Sequence, residues 1–440
     1  MQRKIITSKT ILIIPTFSER LSKREGAENF VPRNDEARLE EALGLARAIH
    51  LEVVYSEIVF VSEPRPATLL GKGKVEGLDL VIKDQYADLA IIDSSLTPVQ
   101  QRNLEKAWGV KVIDRTALIL EIFGERARTK EGVLQVELAH LTYQKGRLVR
   151  SWTHLERQRS GGSFLGGPGE TQIEADRRIL EEKILRIKRE LKTVVKTRYL
   201  HRAKRKKVPH PVVALVGYTN AGKSTLFNAL SGASVLAKDM LFATLDPTLR
   251  KIILPHGQTV ILSDTVGFIS NLPTHLIAAF RATLEEVVEA DLIIHVRDMA
   301  DSDHVAHAQD VTAILSRLGI TVDDPTRLIE VWNKVDLLDQ ETLAMLERSA
   351  ALITPSPTLM SATKDTDLKP LLQAIEERLS GKISTLKIKL TPHEMPLLNW
   401  LYKNSAILSQ KNDEEGNIYL CVEITKVGKD QFQYLYNQKI

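Results

Sequence analysis

A chain of 440 residues is too long for one ordinary core and predicts about three domains. Its 43% hydrophobic share, with 23 glycines and 17 prolines, excludes a disordered, collagen-like or low-complexity protein, and its single cysteine, Cys421, excludes an intramolecular disulfide framework and suits a reducing compartment. The net charge of +4 is small, so where charge sits matters more than its sum. No apolar run reaches the roughly 18 to 20 residues that span a bilayer, and Met1 to Thr10 lacks the apolar centre of a secretion signal, so a cytoplasmic protein without a membrane span is expected.

The first third alternates apolar runs with helical spacing. Ile11 to Ile14 reads as a strand, Leu39, Leu43, Ala46 and Ile49 as a helix face, and Val53 to Val61 as a second strand. Leu89 to Ile92, a helix opened by Pro98, Val110 to Ile113 and a helix from Thr116 to Phe123 continue the series. Strand, helix, strand in repetition predicts an α/β domain with a parallel sheet covered by helices. Gly71-Lys72-Gly73-Lys74 is either a tight turn or a phosphate-greeting helix start; no full dinucleotide fingerprint accompanies it.

Two seams follow. Leu134, Leu138, Leu141 and Leu148 are spaced four, three and seven apart, while Leu180, Ile184, Ile187, Leu191 and Val194 alternate four and three. Each is a narrow apolar stripe in search of a partner. The ten residues from Ser160 to Gly169, six of them glycine or proline, cannot sustain a helix, so an antiparallel helical hairpin with a glycine-rich tip is expected, its second helix restarting at the capping-box pattern Thr171-Gln172-Ile173-Glu174. The tip, with Gly161, Gly162, Ser163, Phe164 and Leu165, is either an ordinary loop or a probe that enters a crevice in a partner. Arg202, Lys204, Arg205, Lys206 and Lys207 close a cationic stretch from Arg177 onward, which reads as a nucleic-acid contact or as a solvated helix face.

From Pro211 to about Leu379, buried-strand runs at Val212 to Val216, Thr259 to Leu262, Leu292 to Val296 and Leu328 to Trp332 predict a second α/β unit. A tail after Ser380-Gly381-Lys382 predicts one helix, Pro392 to Tyr402, and strands at Tyr419 to Ile424 and Gln431 to Tyr436.

The chemistry concentrates in the second α/β unit. Gly217-Tyr218-Thr219-Asn220-Ala221-Gly222-Lys223-Ser224, followed by Thr225, matches G-x-x-x-x-G-K-[ST] between a strand and a helix. The glycines let backbone N–H groups close around phosphate oxygens, Lys223 neutralises the β and γ phosphates, and Ser224 ligates Mg²⁺. Asp264-Thr265-Val266-Gly267 ends the next strand, placing a carboxylate near the metal, through water, and a glycine amide near the γ phosphate. Asn333-Lys334-Val335-Asp336 selects the base: the Asp336 carboxylate accepts from guanine N1–H and the exocyclic amine, a donor pair adenine lacks. Ser361-Ala362 adds a backbone N–H for the guanine O6. Together these motifs predict GTP binding and hydrolysis.

The order of motifs resembles a translation-factor-class GTPase, and further stretches resemble the HflX family of ribosome-associated GTPases. The matching segments are Leu70 to Lys74, Gln100 to Lys106, Arg126 to Gly132, the distinctive Gly167-Pro168-Gly169-Glu170-Thr171-Gln172, and Leu241 to Pro247. The resemblance implies an N-terminal domain, a helical domain and a GTPase domain that dock on the large ribosomal subunit and its RNA, in splitting, rescue or assembly. It also implies Thr244 as the switch threonine that reaches Mg²⁺ and the γ phosphate, with Thr248 as fallback. Catalytic roles then fall to Lys223, Thr244 and Gly267. Asn220 matches the asparagine that helps hold K⁺ beside the phosphates in related GTPases; the alternative is a loop-shaping hydrogen bond.

Departures carry expectations of their own. Phe268 stands where many small GTPases place a water-orienting glutamine, which predicts slow unassisted turnover and stimulation by ribosomes. Ser163 to Gly166 differs from the small residues and arginine of relatives, and Val296-Arg297-Asp298-Met299 receives no role. His295 is read as a core or strand-end histidine, His304 and His307 as part of a solvated helix start, and Cys421 as a small apolar packer. The expected division is an N-terminal α/β domain (1–125), the hairpin (126–207), a P-loop GTPase domain (208–380) and a small α+β domain (381–440), as a monomer. The rival readings are a nucleotide-gated protein adaptor and an accessory GTPase of RNA modification.

Overall fold

A computed structural model describes residues 8–17, 33–158, 168–205, 210–232, 241–242, 247–270, 281–321, 324, 326–364, 368–381, 383–413 and 416–437. The chain forms two compact units: residues 1–204 with 238–246 and 269–282, and residues 205–237 with 247–268 and 283–440.

In the first unit the predicted alternation is present. It runs β1 (Lys9–Phe17), α1 (Asp35–Ala48), β2 (Glu52–Val61), α2 (Lys72–Asp84), β3 (Leu89–Ile92), α3 (Pro98–Trp108), β4 (Lys111–Asp114) and α4 (Arg115–Arg126). The four strands are parallel in the order β2-β1-β3-β4, and Ile11, Ile13, Ala90, Ile92 and Val112 bury one face against Leu78, Ile82, Leu104 and Trp108 of the helices. Gly71 proves to be the N-cap of α2, which settles the glycine-lysine stretch as a helix entry. At the C-terminal strand ends lies a buried ionic knot. Arg115 donates to Asp93 at 2.5 Å, to Glu41, and to Ser270 Oγ at 2.8 Å, while Asp114 caps α4 and takes Tyr143 and Arg147 from the next helix. Phe242 packs edge-on against Phe123, with ring centres 4.6 Å apart.

The two seams meet. α5 (Lys130–Gln158) and α6 (Pro168–Arg205) bring Leu134, Leu138 and Leu141 against Leu180, Ile184, Ile187, Leu191 and Val194, with Lys145 on Glu181 at 2.9 Å. The second helix begins at Pro168, three residues before the predicted restart: proline is favoured in a first turn, where its missing N–H is unneeded. The tip residues Gly161, Gly162, Ser163 and Phe164, and also Lys206 and Lys207, lie outside the described residues; Arg202, Lys204 and Arg205 fall in the last turns of α6.

The second unit holds β5 (Val212–Gly217), α7 (Lys223–Ser231), β6 (Thr248–Ile253), β7 (Thr259–Asp264), α8 (Arg281–Val288), β8 (Leu292–Asp298), α9 (His304–Arg317), β9 (Leu328–Asn333), α10 (Gln340–Ala351), β10 (Thr358–Leu359) and α11 (Leu368–Ser380). Its sheet runs β10-β9-β8-β5-β7-β6, parallel except for β6, so β5 is central and buried on both faces. The tail adds β11 (Ile383–Leu390), α12 (Met395–Asn404), β12 (Ala406–Asn412), β13 (Ile418–Thr425) and α13 (Lys426–Asn437), with an antiparallel sheet in the order β11-β13-β12.

The tail corrects two expectations. Gln431 to Tyr436 is helical, because Phe432, Leu435 and Tyr436 share one helix face against Leu420 and Val422. Cys421 is half-buried rather than packed in the core, since strand alternation turns it away from Leu420 and Val422. No helix among the described residues is long and apolar enough to cross a membrane.

Candidate functional site

Central β5 ends at Gly217 and α7 begins at Lys223, so the loop between them sits at the C-terminal edge of the parallel sheet, where open α/β sheets bind ligands. Asn220 is exposed with φ +60°, a left-handed conformation that asparagine tolerates. Gly222 has φ +91°, and a Cβ there would stand 2.2 Å from Asn333 Nδ2. Only glycine fits that approach. Ala221 is buried, Ser224 and Thr225 are half-buried in the first turn of α7, and Tyr218 stacks on His307 at 3.7 Å.

Lys223 is 6% exposed and its Nζ donates to the Tyr218 carbonyl at 2.6 Å. Burial lowers its pKa to about 8 against the opposing pull of Asp264, with Lys334 lowering it further. An ammonium held this way is poised for phosphate, whose charge restores the full preference for the protonated form. Ser224 Oγ donates to Asp264 Oδ2 at 2.8 Å. A hydroxyl and a carboxylate side by side are all-oxygen donors of the kind Mg²⁺ takes, so the residues fit that ion. Thr248 stands opposite Asp264 in the β6–β7 register; Thr244 lies outside the described residues.

Beyond Asp264 the chain continues along the loop. Thr265 donates its hydroxyl hydrogen to the Leu215 carbonyl at 2.6 Å, and both Thr265 and Val266 are buried. Phe268 N–H donates to the Gly217 carbonyl at 3.1 Å, and Thr219 N–H to the Phe268 carbonyl at 2.7 Å. These two bonds press Gly267 onto Thr219 and Lys223. The Phe268 ring is 1% exposed, so this side chain is a packing element with no group to aim a water molecule.

At the other end of the site Asn333, 1% exposed, donates from Nδ2 to the Ala221 carbonyl and accepts at Oδ1 from Ala362 N–H, both at 2.9 Å. Lys334 adopts φ +62° and pairs with Asp298 at 2.7 Å, and Asp336 is exposed in the short 3-10 turn Val335–Leu337. Ser361 is buried with its Oγ 2.8 Å from Thr363 Oγ1. Asp298, which the sequence left without a role, thus anchors the lysine of the base motif. A carboxylate ending the strand beside the Asn-Lys-x-Asp strand was the available signal. Arg297 pairs with Glu330 and reaches His304 Nδ1 at 3.1 Å, so His304 and His307 serve side-chain packing beside the loop. His295 is buried, and burial lowers its pKa to about 4.

A glycine-bounded loop at the end of the central strand, a Ser224 and Asp264 pair beside it and the Asn333 loop pinned to it by one amide are the arrangement of a P-loop GTPase. Family models match in chain order: a GTP-binding GTPase N-terminal region over residues 36–124, its middle region over 126–205, a 50S ribosome-binding GTPase model over 212–334 and an HflX C-terminal domain over 348–434. The chain is 46% identical over 389 residues to the GTPase HflX of Magnetococcus marinus, covering 88% of each, and 42% identical over 395 residues to that of Escherichia coli, covering 90% of this chain and 91% of that one. A GTP-binding protein of Sulfolobus solfataricus, solved with GDP, aligns over 84% of this chain and 98% of that one at 22% identity, with a TM-score of 0.44. This chain belongs to the HflX family. It is a GTP hydrolase.

Proposed function

We propose that this GTPase uses its nucleotide state to control binding to the large ribosomal subunit and its RNA, in ribosome splitting, rescue or assembly in the cytoplasm, acting as a monomer. The observation that carries the reading is α6, whose outward face exposes Arg177, Arg178, Lys183, Arg186, Lys188, Arg189, Lys192 and Lys196 while its seam is buried against α5. Arg202, Lys204, Arg205, Lys206 and Lys207 extend that cationic run, and Gly161, Gly162, Ser163 and Phe164 form the probing tip. The matching of residues 212–334 to a model described as a 50S ribosome-binding GTPase supports the same partner. The division at residues 125, 207 and 380 assigns the sheet, the hairpin, the nucleotide site and the tail their separate tasks.

Within the site, the backbone of Gly217 to Gly222 cradles the phosphates, Lys223 neutralises them, and the Gly267 amide meets the γ phosphate. Ser224, Thr244 and, through water, Asp264 would hold Mg²⁺, which would supply positive charge to offset that of the β and γ phosphates. Asn220 holds K⁺. Asp336 reads the guanine edge, with Ala362 N–H on O6. Because Phe268 aims no water, turnover is slow until ribosomal contact completes the site.

Sedimentation with purified large and small subunits tests this. In a non-hydrolysable GTP analogue the protein pellets with large subunits, loosening steeply as salt rises because phosphate contacts dominate; in GDP it stays largely in the supernatant. Binding that ignores both nucleotide and salt refutes the proposal.

A further inference from the structure

β6 and β7 form a hairpin whose two ends do different things. At the nucleotide end Thr248 faces Asp264. At the far end the turn Pro255-His256-Gly257-Gln258 closes with Leu254 N–H on the Gln258 carbonyl at 2.8 Å. That turn is gripped. His256 donates its backbone N–H to Glu376 Oε1 at 2.9 Å, and its ring Nδ1 lies 2.7 Å from Glu376 Oε2. His256 is 5% exposed and Glu376 not at all, so the pair is a sealed two-point bond between the hairpin and α11. Ser380, at the end of α11, donates to the Gln258 side chain. Gly257, at φ +84°, lies so close to α12 that a Cβ would stand 1.8 Å from the Lys403 carbonyl, and Glu423 of β13 approaches His256 Nε2 at 4.0 Å.

The grip costs the fold a buried carboxylate, which an apolar contact would avoid. What the charge adds is direction: two hydrogen bonds from one residue to one carboxylate fix both the position and the tilt of the turn, whereas apolar packing tolerates sliding. From Gln258 to Asp264 the chain covers about 20 Å at about 3.3 Å per residue, and β7 is paired with β6 from Thr259 to Asp264 and with β5 over its last four residues, Ile261 to Asp264. A strand held this way moves as a rod.

We propose that His256 and Glu376 are positioning residues for GTP hydrolysis: through the β6–β7 hairpin they let α11 and the tail domain set where Asp264 stands relative to Ser224. The tail is thereby a second input to the metal end of the site, acting by strand register and without touching nucleotide. The inference rests on Asp264 as the metal carboxylate.

The test uses the full chain, titrating GTP hydrolysis with Mg²⁺ and separating kcat from KM. His256→Ala raises the half-activating Mg²⁺ concentration and lowers kcat by about fivefold or more, with KM for GTP within about twofold. His256→Asn, whose amide N–H replaces Nδ1–H, returns both to within about twofold of the parent. Ser380→Ala removes the second tie without stranding a buried charge, and shifts Mg²⁺ activation in the same direction by about twofold if His256→Ala does not fold. Asp264→Asn separates the two claims: if it keeps parental Mg²⁺ dependence, the metal assignment fails and the relay with it. If Asp264→Asn loses that dependence while folded His256→Ala and Ser380→Ala keep it, the relay alone is overturned. Equal losses in His256→Ala and His256→Asn also overturn it.

Discussion

Replacing Gly267 with alanine separates holding a nucleotide from cutting it. The added methyl would lie 2.9 Å from Thr219 Cγ2, 3.0 Å from Thr219 Cα and 3.1 Å from Lys223 Nζ. Neither neighbour is free to retreat, since Thr219 is bonded through its N–H to the Phe268 carbonyl and Lys223 through Nζ to the Tyr218 carbonyl. Overpacking of this kind costs about 1–3 kcal/mol, which in a unit of this size lowers Tm by about 2–4 °C per kcal/mol. Binding of GDP, which needs no contact at Gly267, weakens by about threefold or less. In the proposed mechanism hydrolysis depends on the Gly267 amide and Lys223 standing in register around the γ phosphate, and a loss of about 1.4 kcal/mol there lowers its rate tenfold. Thermal unfolding, fluorescent GDP titration and single-turnover GTP hydrolysis measure the three quantities. A variant that melts and hydrolyses like the parent refutes the close packing on which the argument depends.

In the proposed base site, Asp336→Asn replaces one of the two carboxylate oxygens that accept from the guanine N1–H and amine with an NH2 donor, leaving one guanine donor facing another donor. GTP affinity falls about a hundredfold, for about 3 kcal/mol of unmade hydrogen bonding, while XTP, with a carbonyl in place of the amine, gains affinity. Competition against a fluorescent nucleotide reads both changes, and unchanged base selectivity removes Asp336 from the base site. Nucleotide binding also carries a proton signature. With Lys223 at about 8 in the free protein and raised by phosphate, affinity is level below that pH and falls as pH rises above it, because the ligand must bring a proton to the amine. Calorimetry of GDP binding at pH 8.5, in two buffers of different ionisation heat, should find uptake of about three-quarters of a proton, and about a tenth at pH 7. Zero uptake at pH 8.5 places the Lys223 pKa elsewhere.

The strands nearest the site were legible because they are buried on both faces. Val212 to Val216 and Leu292 to Val296 are continuous apolar runs with no competing period. β6 was not, since this edge strand exposes Arg250 and Lys251 and its pattern is that of a loop. β11 was missed for a similar reason: Thr385, Lys387 and Lys389 alternate outward on a sheet open to solvent on one face. Gln431 to Tyr436 misled because its polar and aromatic residues alternate like a strand, while the face that decided the outcome is read three and four residues apart. The candidate site residues were picked out by spacing within short motifs. The supports behind them were not: Asp298 under Lys334, Phe268 laced to Gly217 and Glu376 behind the hairpin turn all act across long sequence separations, which local patterns do not record.

Asn333 joins the Ala221 carbonyl of the phosphate loop to the Ala362 amide of the base loop through a single carboxamide. In the proposed site the two halves of the nucleotide therefore meet a common hinge pin. A guanosine that orders the base loop also fixes the amide that shapes the phosphate loop, and pyrophosphate does the reverse, so each fragment prepares the pocket for the other. On the proposed binding mode the whole nucleotide is expected to bind more tightly than its separate pieces would indicate, and Asn333→Ala to abolish that excess while leaving each piece's own affinity.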